Sequence, residues 1–115
     1  MATKTIVDRD VLETIKHIIL EEANRLGIEV DKIILFGSRA RGDAREDSDY
    51  DILVVIKGDA DRRVRRLLST RVSSRVARQL LVPMDIIITT KDRWRQYSSV
   101  VGTIEEVAAG EGITL

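Results

Sequence analysis

The chain has 115 residues, a third of them charged, with 19 Lys plus Arg balanced by 19 Asp plus Glu and no cysteine. Its length suits one domain with a single core, so residues 1–115 are expected to form one domain. The missing cysteines exclude a disulfide framework, a thiolate zinc site and a cysteine nucleophile, and zero net charge excludes a chain-wide field for nucleic acid or an acidic membrane.

The opening MATKTIVDRD has no apolar core of a leader, and no apolar run approaches the ~20 residues of a membrane span. The expected setting is therefore cytoplasmic, with no membrane partner.

From Asp8 to about Leu26, Val11, Leu12, Ile15, Ile18, Ile19, Ala23 and Leu26 recur at helical spacing, and Gly27 follows as a stop. KIILF, residues 32–36, is short, β-branched and closed by Gly37, which predicts a buried strand. DILVVI, from Asp51 to Ile56, predicts a second. Between Asp59 and Leu80, Val64, Leu67, Leu68, Val72, Val76 and Leu80 mark a helix whose other side carries seven arginines between Arg62 and Arg78. Pro83 then introduces MDIIITT, residues 84–90, a third strand. A last helix is expected over about Val100 to Ala109, with Trp94 and Tyr97 anchoring it on the core.

These elements predict an α/β (α+β) domain: a small mixed sheet of at least three strands with helices packed on it. About a dozen residues without a full helix join the first two strands, which favours an antiparallel pair, whereas a long helix joins the second and third, which favours a parallel crossover. Gly37-Ser38, Asp49, Asp51 and Asp85 then meet at one edge of the sheet. So small a sheet leaves an edge to cover, and the apolar residues of 100–115 are available to cover it or to support a homo-oligomer.

The chemistry concentrates in GSRARGDAREDSDYD, residues 37–51. Asp49 and Asp51 are two apart on an extended segment and so project side by side, where they repel unless one is protonated or a cation lies between them. With Asp85 they would make an all-oxygen set of the kind hard Mg²⁺ prefers. Two ions ~3.5–4 Å apart would activate an attacking oxygen and stabilise leaving pyrophosphate. Gly37 lets a ligand approach the backbone, and the Ser38 hydroxyl with turn N–H groups can meet phosphate oxygens, particularly if residues 38–41 form one helical turn. Taken singly, a strand-ending turn and solvated strand-end acids are the plainer alternatives; their combination carries the reading.

Other motifs fail on the same letters. Gly37 and Gly42 have Walker A spacing, but Asp43 stands where that loop needs Lys. From Asp47 the EF-hand pattern has Ile52 at its sixth position and Gly58 at its twelfth. No G-x-G-x-x-G follows a strand, and the single His17 supplies neither a zinc site nor a triad.

Strand, Gly37-Ser38, ten residues, Asp49-Tyr50-Asp51, helix, and Asp85 on a later strand together resemble the DNA polymerase beta-like nucleotidyltransferase superfamily, in its minimal MNT form. The resemblance covers about residues 10–90. It implies that Asp49 and Asp51 hold two Mg²⁺ ions, with Mn²⁺ as a substitute, and that Asp85 shares the ion that activates the nucleophile. It also implies that Gly37 and Ser38 hold the β- and γ-phosphates of ATP or another nucleoside triphosphate, assisted by Arg39 and Arg41, with Ser48 in the nucleotide site or orienting the start of the strand. The implied activity moves a nucleoside monophosphate, AMP from ATP, to a hydroxyl, and minimal members pair with helical HEPN toxins that they neutralise and can adenylylate on tyrosine. The alternative is a non-catalytic antitoxin that acts by binding alone. Nucleic-acid binding through the arginine face is disfavoured by zero net charge and few aromatics.

Overall fold

A computed structural model describes the backbone of residues 2–115 and the side chains from residue 9 onward. In chain order the elements are α1 (Ala2–Arg25), β1 (Val30–Phe36), α2 (Ser38–Arg41), β2 (Tyr50–Ile56), α3 (Arg62–Leu80), β3 (Met84–Thr90), α4 (Lys91–Tyr97), α5 (Ile104–Glu111) and β4 (Ile113–Thr114).

The sheet has the order β3-β2-β1-β4. β1 and β2 run antiparallel and β2 and β3 parallel, as the connection lengths predict. β2 is central, and its residues from Ile52 to Ile56 are completely buried. A strand covered on both faces reads as a continuous apolar run, which is why its sequence does not alternate. Tyr50, Ile52, Val54 and Ile56 face a core made with Ile15, Ile18 and Ile19 of α1 and Leu68, Val72 and Val76 of α3. Leu53 and Val55 face the other way, with Ile34 and Phe36, against Trp94, Ile104 and Ala108. The result is a helix–sheet–helix sandwich. Cutting one of the fully buried isoleucines or leucines to alanine would cost about 2–5 kcal/mol.

The apolar stripes of α1 and α3 meet along a charged seam. Glu22, 2% exposed, accepts from Arg75 Nη1 at 2.8 Å and lies 3.4 Å from Arg25 and 3.7 Å from Arg71. The Arg71 and Arg75 guanidinium groups account for part of the arginine face. Arg62, Arg63, Arg65 and Arg66 have no ion-pair partner among the described residues. Three helices start on side-chain caps: Asp61 accepts from Val64 N, Thr90 from Arg93 N, and Thr103 from Glu106 N.

Three features differ from the sequence reading. Trp94 and Tyr97 lie on a separate short helix, α4, in a segment with too few apolar residues to show periodicity. The last helix starts at Ile104, where Thr103 caps it, rather than at Val100. After it the chain adds β4 to the outer edge of β1, pairing Ile34 with Thr114 and Leu35 with Ile113, so the 100–115 segment does cover an edge. His17 is exposed, 3.5 Å from Glu21. Among the described residues, no helix is long and apolar enough to cross a membrane.

Candidate active site

β1 ends at Phe36, and in the sheet register Phe36 lies opposite Asp51, which lies opposite Asp85. The next residue, Gly37, has φ 76 and ψ −159, a region that is nearly glycine's alone. A methyl group there would fall on the Asp51 carboxylate. Gly37 is therefore required twice, by its backbone angles and by the acid against it. Residues 38–41 form the expected single turn, with Ala40 N and Arg41 N donating to Gly37 O at 3.1 and 3.0 Å, and Gly42 closes it in the left-handed region.

By strand alternation Asp51 and Asp85 belong to the face that holds Leu53, Val55 and Ile87. Asp51 is half-buried, whereas Asp49 and Asp85 are exposed. Burial, then the charges of Asp85 and Asp49, push the Asp51 carboxyl above its usual range; Arg41 opposes this and Glu111 adds to it. Carboxylates held together against their own repulsion are an environment that a cation relieves, and their all-oxygen chemistry fits a hard divalent ion. Among the described residues, no three His, Cys, Asp or Glu side chains are gathered closely enough to hold a metal by themselves. Asp49 and Asp85 lie near enough to Asp51 for their charges to act on it, without forming a metal cage.

Arg39 and Ser48 shape the connector between α2 and β2. Arg39 donates through Nη2 to the carbonyl oxygens of Ser48 and Glu46, both at 3.0 Å, and through Nε to Ser48 O at 3.3 Å. Its guanidinium lies 4.4 Å over the Tyr50 ring. Ser48 Oγ accepts from Arg45 N at 2.8 Å, folding the turn that leads to Asp49. Both side chains thus orient the start of β2.

Arg41 donates through Nη1 to Glu111 at 2.7 Å and through Nε to Asp43 at 3.3 Å. Glu111 is a neighbour of this edge that sequence reasoning missed. It is 70 residues from Arg41, and no motif spacing links them. It reaches the edge because α5 ends there, and α5 is placed by the apolar contacts of Ile104 and Ala108 and by buried Glu105, which accepts from Thr89 Oγ1 at 2.7 Å.

Residues 14–107 match the sequence model of the nucleotidyltransferase domain family. Two proteins of Methanocaldococcus jannaschii, each named as a protein adenylyltransferase, are similar over shorter stretches. One is 42% identical over 48 residues, covering 42% of this chain and 48% of the relative. The other is 66% identical over 32 residues, covering 28% and 30%. The matched stretch spans less than half the length of either relative. Two crystal structures share the fold. One, described as a toxin–antitoxin with AMP-PNP, superposes with a TM-score of 0.56 at 20% identity, over 85% of this chain and 69% of the other. A mutant MntA–HpeT toxin–antitoxin gives 0.55 at 19% identity, over 84% and 68%.

Proposed function

The chain belongs to the nucleotidyltransferase domain family, and on that premise we propose that it transfers AMP from ATP to a hydroxyl acceptor, a tyrosine on a helical HEPN-type toxin, and so acts as an antitoxin. One observation carries this reading: the Asp51 carboxylate is packed on the only residue type that could stand at Gly37, so the phosphate-binding turn and the acidic edge are built as one unit. The relatives named for protein adenylylation and the toxin–antitoxin neighbours support the choice of acceptor class and partner.

In this mechanism the Gly37-Ser38 turn receives the β- and γ-phosphates, and the closeness of Gly37 to Asp51 sets the triphosphate beside the carboxylates. Asp49, Asp51 and Asp85 would hold Mg²⁺, which when bound offsets their charge and stabilises charge on the phosphate oxygens. Arg39 and Ser48 hold the connector so that Asp49 and Asp51 project to the same side. The acceptor hydroxyl gives up its proton to solvent as its oxygen bonds the α-phosphorus, the bond to the bridging oxygen breaks, and pyrophosphate leaves.

The test is incubation with ATP, Mg²⁺ and the helical protein encoded beside this one, read by intact mass. One adenylyl group on a partner tyrosine is expected, and none with Asp49→Asn/Asp51→Asn. A double variant that still neutralises the toxin would instead identify a binder that acts by occupancy.

A further inference from the structure

Glu111 ends α5 and enters the site from a part of the chain that carries no nucleotide-binding motif. A guanidinium grips a phosphate through two neighbouring nitrogens, either Nη1 with Nη2 or Nε with Nη2. In Arg41 each of those pairs has one nitrogen committed to a carboxylate, Nη1 to Glu111 and Nε to Asp43. A phosphate gripped in this way competes with these carboxylates for the guanidinium. Of the two, Glu111 is the firmer: its contact is shorter, and its side chain is 22% exposed against 62% for Asp43.

Its backbone is also pinned. Directly after it, a side chain at Gly112 would collide with the Ala108 carbonyl and with Ile34 Cγ2, and the chain then pairs with β1. The carboxylate therefore cannot swing away with a loose terminus. It adds negative charge beside Asp51, where Asp49 and Asp85 already contribute theirs.

We propose that Glu111 is a positioning and selectivity residue: by restraining Arg41 and adding its own charge to the edge, it turns away metal-free triphosphate and admits nucleotide as its divalent-cation complex. This rests on the nucleotide site of the preceding section. A metal-free triphosphate meets the carboxylates with its full charge and brings no cation of its own, so it draws more on Arg41, which Glu111 holds. A metal-loaded one arrives partly neutralised, so the repulsion from Glu111 is weaker.

The experiment is an NMR titration with α,β-methylene-ATP, whose methylene bridge resists transfer, in Mg²⁺ and separately in EDTA. The proteins are the wild type, Glu111→Gln, Arg41→Gln and the double variant. Glu111→Gln is expected to tighten metal-free binding by about fivefold, the upper end for a solvent-accessible ion pair, and to leave binding in Mg²⁺ nearly unchanged. The gain should be smaller in the Arg41→Gln background, where only the repulsion from Glu111's own charge is left to relieve. A purely structural role would shift both affinities by one factor, and that result overturns the proposal, as would no shift or a gain undiminished by loss of Arg41. Wild type that binds nucleotide in neither condition would instead remove the underlying site.

Discussion

The carboxylate of Asp51 lies against the α-carbon of Gly37, in the space that any side chain at that position would fill. The contact joins the end of β1 to the start of β2, the two elements between which the GSRARGDAREDSDYD connector runs. Gly37→Ala must therefore both strain the backbone, at about 1–3 kcal/mol for that region, and push Asp51 aside. Chemical denaturation should show that loss of stability, and nucleotide titration should show binding falling together with it.

Asp51 carries a charge that its surroundings oppose. Its carboxyl is raised in the folded state by burial, Asp85 and Asp49. A carboxylate raised on folding costs stability once ionised, and the cost disappears as pH falls below its unfolded value. Asp51→Asn should accordingly melt higher than wild type at neutral pH and lose that advantage in acid. Adding Mg²⁺ should raise the wild-type melting temperature and leave the variant's nearly unchanged, because a ligand stabilises only the state that binds it.

Glu22 has the opposite sign. The hydrogen bond from Arg75 outweighs burial and, with Arg25 and Arg71, lowers its carboxyl below the usual 4.5. Its stabilising effect is complete above that value and is lost as pH falls through the folded one. Glu22→Gln should lose about 1–3 kcal/mol at neutral pH, and urea denaturation in acid should bring the two proteins together. A deficit that persists unchanged in acid would mean that packing, not charge, joins α1 to α3.

Leu81 ends α3 with φ 55 in the left-handed region, and its side chain is 85% exposed. Little burial is lost by removing it. Leu81→Gly should stabilise by about 0.5–1 kcal/mol, because glycine adopts this turn without a steric penalty. A lower melting temperature would show that the leucine has a packing role absent from this account.

The three long strands and the long crossover helix were legible because each is a continuous apolar run or stripe bounded by Gly or Pro. Their connection lengths also settled the pairing directions, and with them the meeting of Gly37, Asp51 and Asp85 at one edge. α4 was not legible, since KDRWRQY offers Trp94 as its one strongly apolar residue against four charged ones and a glutamine. β4 is two exposed residues held by pairing alone, which leaves no pattern in the letters. Glu111 lay just past the expected end of the last helix, and its contact with Arg41 spans 70 residues, so nothing local in the letters marks it. Arg39 shows a further limit: its type suits a phosphate, yet its bonds go to Ser48 and Glu46, which only the fold of the connector reveals.

The central claim is that this edge is a metal-dependent nucleotide site. Isothermal titration of α,β-methylene-ATP in Mg²⁺ into wild type and Asp49→Asn/Asp51→Asn, with the folding of both proteins checked by circular dichroism, tests it most directly. The account predicts one saturable site in the wild type and none in the folded double variant. Equal binding by both proteins would contradict it.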